Sequence, residues 1–117
     1  MGVVQLLRWQ SEGYARYHQS RANLVLHIFA VPLFLTTNVV LIVALVRASW
    51  LTALFALAAM VVSIVLQGRG HREESVPPEP FTSPLNAVSR IFLEQWVTFP
   101  RFVFSGGWSK AMRHAAR

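Results

Sequence analysis

Two long, largely apolar runs dominate the pattern of the chain, residues 24–46 and residues 48–66, and Arg47 is the one permanent charge between Leu24 and Leu66. At 1.5 Å per residue the runs make about 34 Å and about 28 Å of helix, lengths that cross a hydrocarbon core of ~30 Å. Each is apolar on every side and not along a single stripe, which argues for spans in lipid and against two buried helices of a soluble bundle. The single charged residue between them forces a tight turn at Arg47, Ala48, Ser49 and Trp50, so the spans are expected to form an antiparallel hairpin. Arg47 and Trp50 suit the headgroup level. Pro32 lies inside the first span, where a lipid-embedded helix accommodates it as a kink.

Shorter segments flank the hairpin. Residues 3–19 place Val3, Val4, Leu7 and Tyr14 among polar positions, the pattern of a surface-lying amphipathic helix. Residues 68–84 are rich in Pro, Gly, Ser and charge and read as a loop. In residues 85–99, Leu85, Val88, Ile91, Phe92, Trp96 and Phe99 recur at helical spacing, with Ser89, Arg90, Glu94 and Gln95 largely between them. This predicts a second amphipathic helix, bounded by Pro84 and Pro100, lying in the interface over the open end of the hairpin. Residues 105–117 read as a mobile basic tail. The expected fold is an all-α membrane protein, one domain over residues 1–117, built as a two-helix transmembrane hairpin with amphipathic interfacial helices before and after it.

Composition agrees, since 54% of residues are hydrophobic and the mean hydropathy is +0.42, whereas soluble domains have about 45–50% apolar residues. The charge balance, 11 basic against 5 acidic residues for a net +6, would raise the question of nucleic acid in a soluble chain. Its placement answers otherwise: Arg8, Arg16, Arg21, Arg69, Arg72, Arg90, Arg101, Lys110, Arg113 and Arg117 all flank the spans. That distribution predicts cytoplasmic termini, a membrane with anionic headgroups as partner, and no nucleic acid. The lipid-facing area of two spans predicts a homo-oligomer. Without cysteine there is no disulfide, thiolate metal site or cysteine nucleophile. Residues 1–10 lack the apolar run of a secretory signal, so insertion is expected to use the internal spans.

The polar residues at the open end of the hairpin call for a chemical explanation. His18, Asn23 and His27 enter the first span, and Gln67, Gly70 and His71 leave the second. In an antiparallel hairpin the start of one span sits beside the end of the other, so His27 and His71 share a depth and His18 feeds into it. Asn23 can cap the first span and lies on the same helical face as His27. Three imidazoles without cysteine suit a borderline divalent metal, iron or zinc, and a two-histidine, one-carboxylate iron(II) site would also need an acid. Among Glu73, Glu74, Glu79 and Glu94, the last lies on a mostly apolar helix and is the acid expected to turn inward. Tyr14 and Tyr17 are candidate partners behind the histidines. His114, in the basic tail, reads as solvated. Gly-rich phosphate loops, serine nucleophile elbows and HExxH zinc motifs do not occur.

These residues, Tyr14-x2-Tyr17-His18-x4-Asn23-x3-His27-x3-Val31-Pro32 followed by Gln67-x2-Gly70-His71 and, more weakly, Glu94, resemble the family of small membrane proteins related to the yeast 2-hydroxy fatty acid (2-hydroxypalmitate) dioxygenase. The likeness covers most of residues 14–100. It implies an iron(II)-dependent α-oxidation in which a 2-hydroxy fatty acid and oxygen give a fatty acid one carbon shorter. By the same resemblance His18, His27 and His71 would be catalytic metal ligands, with Arg69, Arg72 or Arg90 pairing the substrate carboxylate and Gln67 among the supporting residues. Eukaryotic members carry a further histidine in a connecting region that this chain lacks. Either Glu94 fills that ligand position, or this branch has a different chemistry. Two rival readings are a noncatalytic membrane adaptor or lipid-binding protein and a b-type haem protein ligated by His27 and His71.

Overall fold

A computed structural model describes residues 2–115, and among them the secondary structure is helical, with no strand. Helix α1 covers Val3–Gly13 and passes into a 3-10 turn, Tyr14–Tyr17. Helix α2 covers Arg21–Val46 and α3 Trp50–His71, and both are long and apolar enough to cross a membrane. After an irregular stretch, α4 covers Pro84–Leu93, a π-helical turn Glu94–Thr98 follows, and α5, Phe99–Phe104, and α6, Gly107–His114, complete the fold.

The α2–α3 connection is short because the end of α2 closes on itself. Ser49 N–H bonds the Ala44 carbonyl at 2.8 Å and Ala48 N–H the Leu45 carbonyl at 3.1 Å, the paired bonds of a Schellman motif. That motif puts its last residue in the left-handed region, and Ala48 has φ 53°. Contacts then step in opposite senses along the two helices: Ser63 Oγ donates to the Ala30 carbonyl at 2.6 Å, and His27 meets His71 further along. Ala44, Ala53 and Ala56 are buried, small side chains that allow close packing of helices.

The remaining elements gather on one side of this pair. Tyr14, Val31 and Phe99 form a buried cluster joined by Phe102 and Trp108. The Trp96 indole N–H reaches Asn38 Oδ1 at 3.1 Å, and the Trp108 indole N–H reaches the Leu24 carbonyl at 2.9 Å.

Several boundaries differ from the sequence reading. Ser20, and not Asn23, is the cap of α2: its Oγ accepts from Asn23 N–H at 3.4 Å, and the Asn23 side-chain amide donates to Glu74. The first helix ends at Gly13, short of residue 19. The second apolar helix continues to His71, so residues 68–71 are helix and not loop. Pro100 does not stop the helix before it. Its missing N–H and its clash with the carbonyl four residues back are absorbed by the π-helical turn, whose wider bonding runs from Phe99 N–H to the Glu94 carbonyl. Most of the supposed mobile tail is α6, docked through Trp108; Arg117 lies outside the described residues.

Candidate metal centre

The site is built where the start of α2 meets the end of α3. A single carboxylate, Glu74, accepts Gln19 N–H at 2.8 Å, Ser20 N–H at 3.0 Å and the Asn23 side-chain amide at 2.7 Å. It satisfies backbone donors at the entry to α2 and favours the positive end of the helix dipole. On α3, Gly70 lies so close to Asn23 that a Cβ there would collide with Asn23 Oδ1. Glycine therefore permits the approach that brings His71, its neighbour in sequence, to His27.

Three imidazoles converge edge to face. Ring centroids are 5.0 Å apart for His18 and His27, 4.8 Å for His18 and His71, and 5.1 Å for His27 and His71. His18 Nδ1 lies 2.7 Å from the Tyr14 carbonyl and His27 Nδ1 3.0 Å from the Asn23 carbonyl. A carbonyl only accepts, so each Nδ1 carries the proton and each Nε2 keeps a lone pair. Those two Nε2 atoms, together with His71 Nδ1, are buried and have no hydrogen-bond partner. One ring nitrogen from each of the three histidines and a Glu94 carboxylate oxygen lie within 4.8 Å of one another.

Two ligands held at 2.0–2.2 Å from one ion are at most about 4.4 Å apart, so a small inward movement completes coordination. Three nitrogens and a carboxylate without sulfur fit iron(II) or zinc, and in an octahedral arrangement leave positions open. A porphyrin has no room between imidazoles as close as His27 and His71, which removes the haem reading.

Glu94 comes from the π-helical turn and approaches His18 Nε2 at 3.7 Å. The Tyr14 hydroxyl donates to Glu94 Oε2 at 2.8 Å, and its ring stacks on His18 at 3.8 Å with an interplanar angle of 9°. Burial pushes the Glu94 carboxyl up to about 7, against the opposing hydrogen bond from Tyr14. Burial, and then the adjacent Glu94, raises the Tyr14 phenol well above its ordinary range. His18 is held well below its ordinary value by burial and by the neighbouring imidazoles of His27 and His71, so it is neutral near pH 7. Tyr14 thus touches two members of the cluster at once, orienting one through its carbonyl and ring and the other through its hydroxyl.

A cavity of about 420 Å³ opens beside the cluster, lined by Tyr14, His18, His71 and Glu94 of or beside the cluster and by Trp9 and Arg90. Arg90 donates to the Pro80 carbonyl at 3.0 Å and the Glu79 carbonyl at 2.8 Å, and lies over the rings of Trp9 and Phe81. Tyr17 also lines the cavity and donates to Glu79 at 3.3 Å. Arg69 and Arg72 are exposed and outside it. Gln67 exchanges reciprocal amide bonds with Gln95 at 2.9 and 2.8 Å and donates to Ser63 Oγ at 3.1 Å. His114 is exposed, bonded to the Lys110 carbonyl.

A family model described as 2-hydroxy-palmitic acid dioxygenase Mpo1-like matches residues 5–103. The chain belongs to the Mpo1-like family. No curated protein and no solved structure shows a match to it. The stretch matched to the Mpo1-like family contains every residue of the histidine and carboxylate cluster and the helices that assemble it. The family name links the chain to fatty acid oxygenation, and the cluster is a possible metal site. Sequence reasoning missed Gln10, Ser63, Gln95 and Thr98, all buried, and the role of Glu74. Their signal was available only as polar residues interrupting apolar helices. Thr98 Oγ1 donates to Gln10 Oε1 at 2.7 Å, and Gln10 Nε2 to the Arg90 carbonyl at 2.8 Å, bonds across the chain that no local pattern reveals.

Proposed function

We propose that the chain is a membrane-embedded iron(II)-dependent dioxygenase that shortens 2-hydroxy fatty acids by one carbon. The observation that carries the reading is the set of three unpartnered buried imidazole nitrogens with Glu94, open to a cavity whose wall holds an arginine. Family membership supplies the substrate class.

In this reading α2 and α3 form a transmembrane hairpin. Phe29, Ile42, Leu54 and Phe55 are exposed along them, apolar area suited to lipid. The cluster then sits at the cytoplasmic face beside Arg16, Arg21, Arg69 and Arg72, with both termini cytoplasmic. Helices α1 and α4 lie in the interface and cover the open end of the hairpin.

His18, His27, His71 and Glu94 would hold the metal. Iron(II) bound there would supply oxygen activation at its open positions, while zinc would occupy the site without redox chemistry. Asn23 and Tyr14 fix the proton of their histidines on Nδ1 and aim Nε2 inward. Arg90, the arginine of the cavity wall, receives the substrate carboxylate. The overall change balances without a further reductant: R–CH(OH)–COOH plus O2 gives R–COOH, CO2 and water. Four electrons leave the first two carbons of the acid and reduce oxygen fully, and the C1–C2 bond is the one that breaks.

The test is metal content of anaerobically purified protein by plasma mass spectrometry, for wild type, His27→Ala and His71→Ala, followed by incubation with 2-hydroxyhexadecanoic acid and oxygen. About one iron per chain, lost in both variants, with release of the C15 acid by wild type alone, is the expected result. Wild type that takes up no metal even after reconstitution with iron(II) would refute the oxygenase and favour a noncatalytic lipid-binding protein.

A further inference from the structure

Helix α3 carries two glycines near its end, and the fold accounts for only one of them. Gly70 faces Asn23, where a side chain has no room. Gly68 faces nothing: a Cβ built there meets no atom within 4 Å. Glycine inside a helix is disfavoured relative to alanine, and here neither a positive φ nor a close approach requires it. Gly68 does line the cavity beside the metal cluster. Ile64, Gly68 and His71 succeed one another at helical spacing along the same wall, which runs about 10 Å from His71 to Ile64 at 1.5 Å per residue. The same line of α3 continues through Val61 and Leu57, both exposed.

Resting on the oxygenase reading above, we propose that Gly68 is a specificity-determining residue. Its missing side chain leaves the width through which the acyl chain of the acid passes from the metal cluster, along α3 past Ile64, toward the exposed apolar surface at Val61 and Leu57. Arg90, which also lines the cavity, fixes the direction, since it attracts the carboxylate end and leaves the hydrocarbon to the apolar track. The acyl chain is the occupant that fits both features. A polar ligand would gain nothing along Ile64 and the surface beyond it, and a neutral lipid would gain nothing from the charge of the guanidinium.

The test measures retention of radiolabelled 2-hydroxyhexadecanoic acid by immobilised protein under nitrogen, where no turnover occurs. It compares wild type, Gly68→Ala, Gly68→Leu and, as a control of equal exposure to lipid, Leu54→Phe, with metal content determined for each. A side chain forced into occupied space weakens binding about tenfold to a hundredfold. Gly68→Leu is expected to lose that much, Gly68→Ala an intermediate amount, and Leu54→Phe nothing, all with the metal content of wild type. If Gly68→Leu proves depleted of metal, Gly68→Ala decides by the same criterion. Retention by the Gly68 variants equal to that of wild type overturns the inference and leaves the oxygenase standing, whereas wild type that retains no acid overturns both.

Discussion

Gly70→Ala probes the contact on which the histidine cluster depends. The added Cβ would occupy the place of Asn23 Oδ1, so α3 must shift away from α2 or the Asn23 side chain must turn. Turning is opposed by the 2.7 Å bond from the Asn23 amide to Glu74, which also holds Ser20 N–H. Shifting carries His71 away from His27. Alanine in a helix gains about 1 kcal/mol over glycine, while overpacking costs roughly 1–3 kcal/mol, so the net loss of stability is about 0–2 kcal/mol. The effect on metal is larger, because disturbing groups that orient ligands costs affinity about 10–100-fold. Zinc affinity from chelator competition, read beside the thermal midpoint, separates the two effects. Gly68→Ala is the companion measurement, with the same chemistry two residues earlier and no clash, and is expected to gain stability. Should Gly70→Ala bind zinc within about twofold of wild type, the close approach at Asn23 would not be what places His71.

Ala48→Gly relieves a left-handed alanine, which costs about 1–2 kcal/mol for an L-residue, and should raise the thermal midpoint; an unchanged or lower midpoint would count against the Schellman closure. Glu74→Ala removes charge-assisted acceptance from Gln19, Ser20 and Asn23 and is expected to destabilise by about 1–3 kcal/mol, measured by thermal unfolding in detergent. Zinc affinity should rise about tenfold from pH 6 to pH 8 as Glu94, pushed up to about 7, releases its proton, and Glu94→Gln should flatten that rise. His18, already neutral, adds no step in this window. In the metal-free protein the sign reverses: a carboxyl raised on folding contributes stability below its unfolded value, and that stability is lost as pH rises through about 7, which melts at pH 5 and pH 8 would show.

What could be read from the sequence was whatever has a local period or a unique residue type. The two apolar runs identified the long helices because nothing else produces such a pattern, and the placement of His18, His27 and His71 followed from their position at the ends of those runs. The errors share one cause, that tertiary contacts override local signals. Gly68 and Gly70 read locally as loop residues because glycine punctuates helices, yet one serves close packing and both are helical. Pro100 reads locally as a stop, but a π-helical turn accommodates it, and the same turn supplies Glu94. Residues 107–114 have few apolar side chains of their own, and it is the bond from Trp108 to the Leu24 carbonyl, with one from Arg21 to the Met112 carbonyl, that ties them to α2. Glu74 could not be distinguished from Glu73 or Glu79 by pattern, since its partners are more than fifty residues away.

Comparison with the rest of the interior favours reading the histidine cluster as a site over reading it as a poorly packed corner. Ser63, Gln67, Gln95, Thr98, Gln10 and Asn38 are all buried polar residues, and each is hydrogen-bonded to carbonyls or to one another. The chain therefore pairs its buried polar groups with care, as the cost of leaving one unpaired, about 1–3 kcal/mol, requires. Among the described residues, the buried side-chain atoms left without a partner are His18 Nε2, His27 Nε2, His71 Nδ1 and Asn23 Oδ1. Asn23 Oδ1 is confined by Gly70, so its isolation follows from close packing. The other three are ring nitrogens, and they face one another. In His18 and His27 the opposite nitrogen is already fixed by a backbone carbonyl, so neither ring can flip to relieve its vacancy without breaking that bond. Random imperfection would scatter such atoms, whereas here they converge with the Glu94 carboxylate. A divalent cation would satisfy all three together, which no single protein group could do.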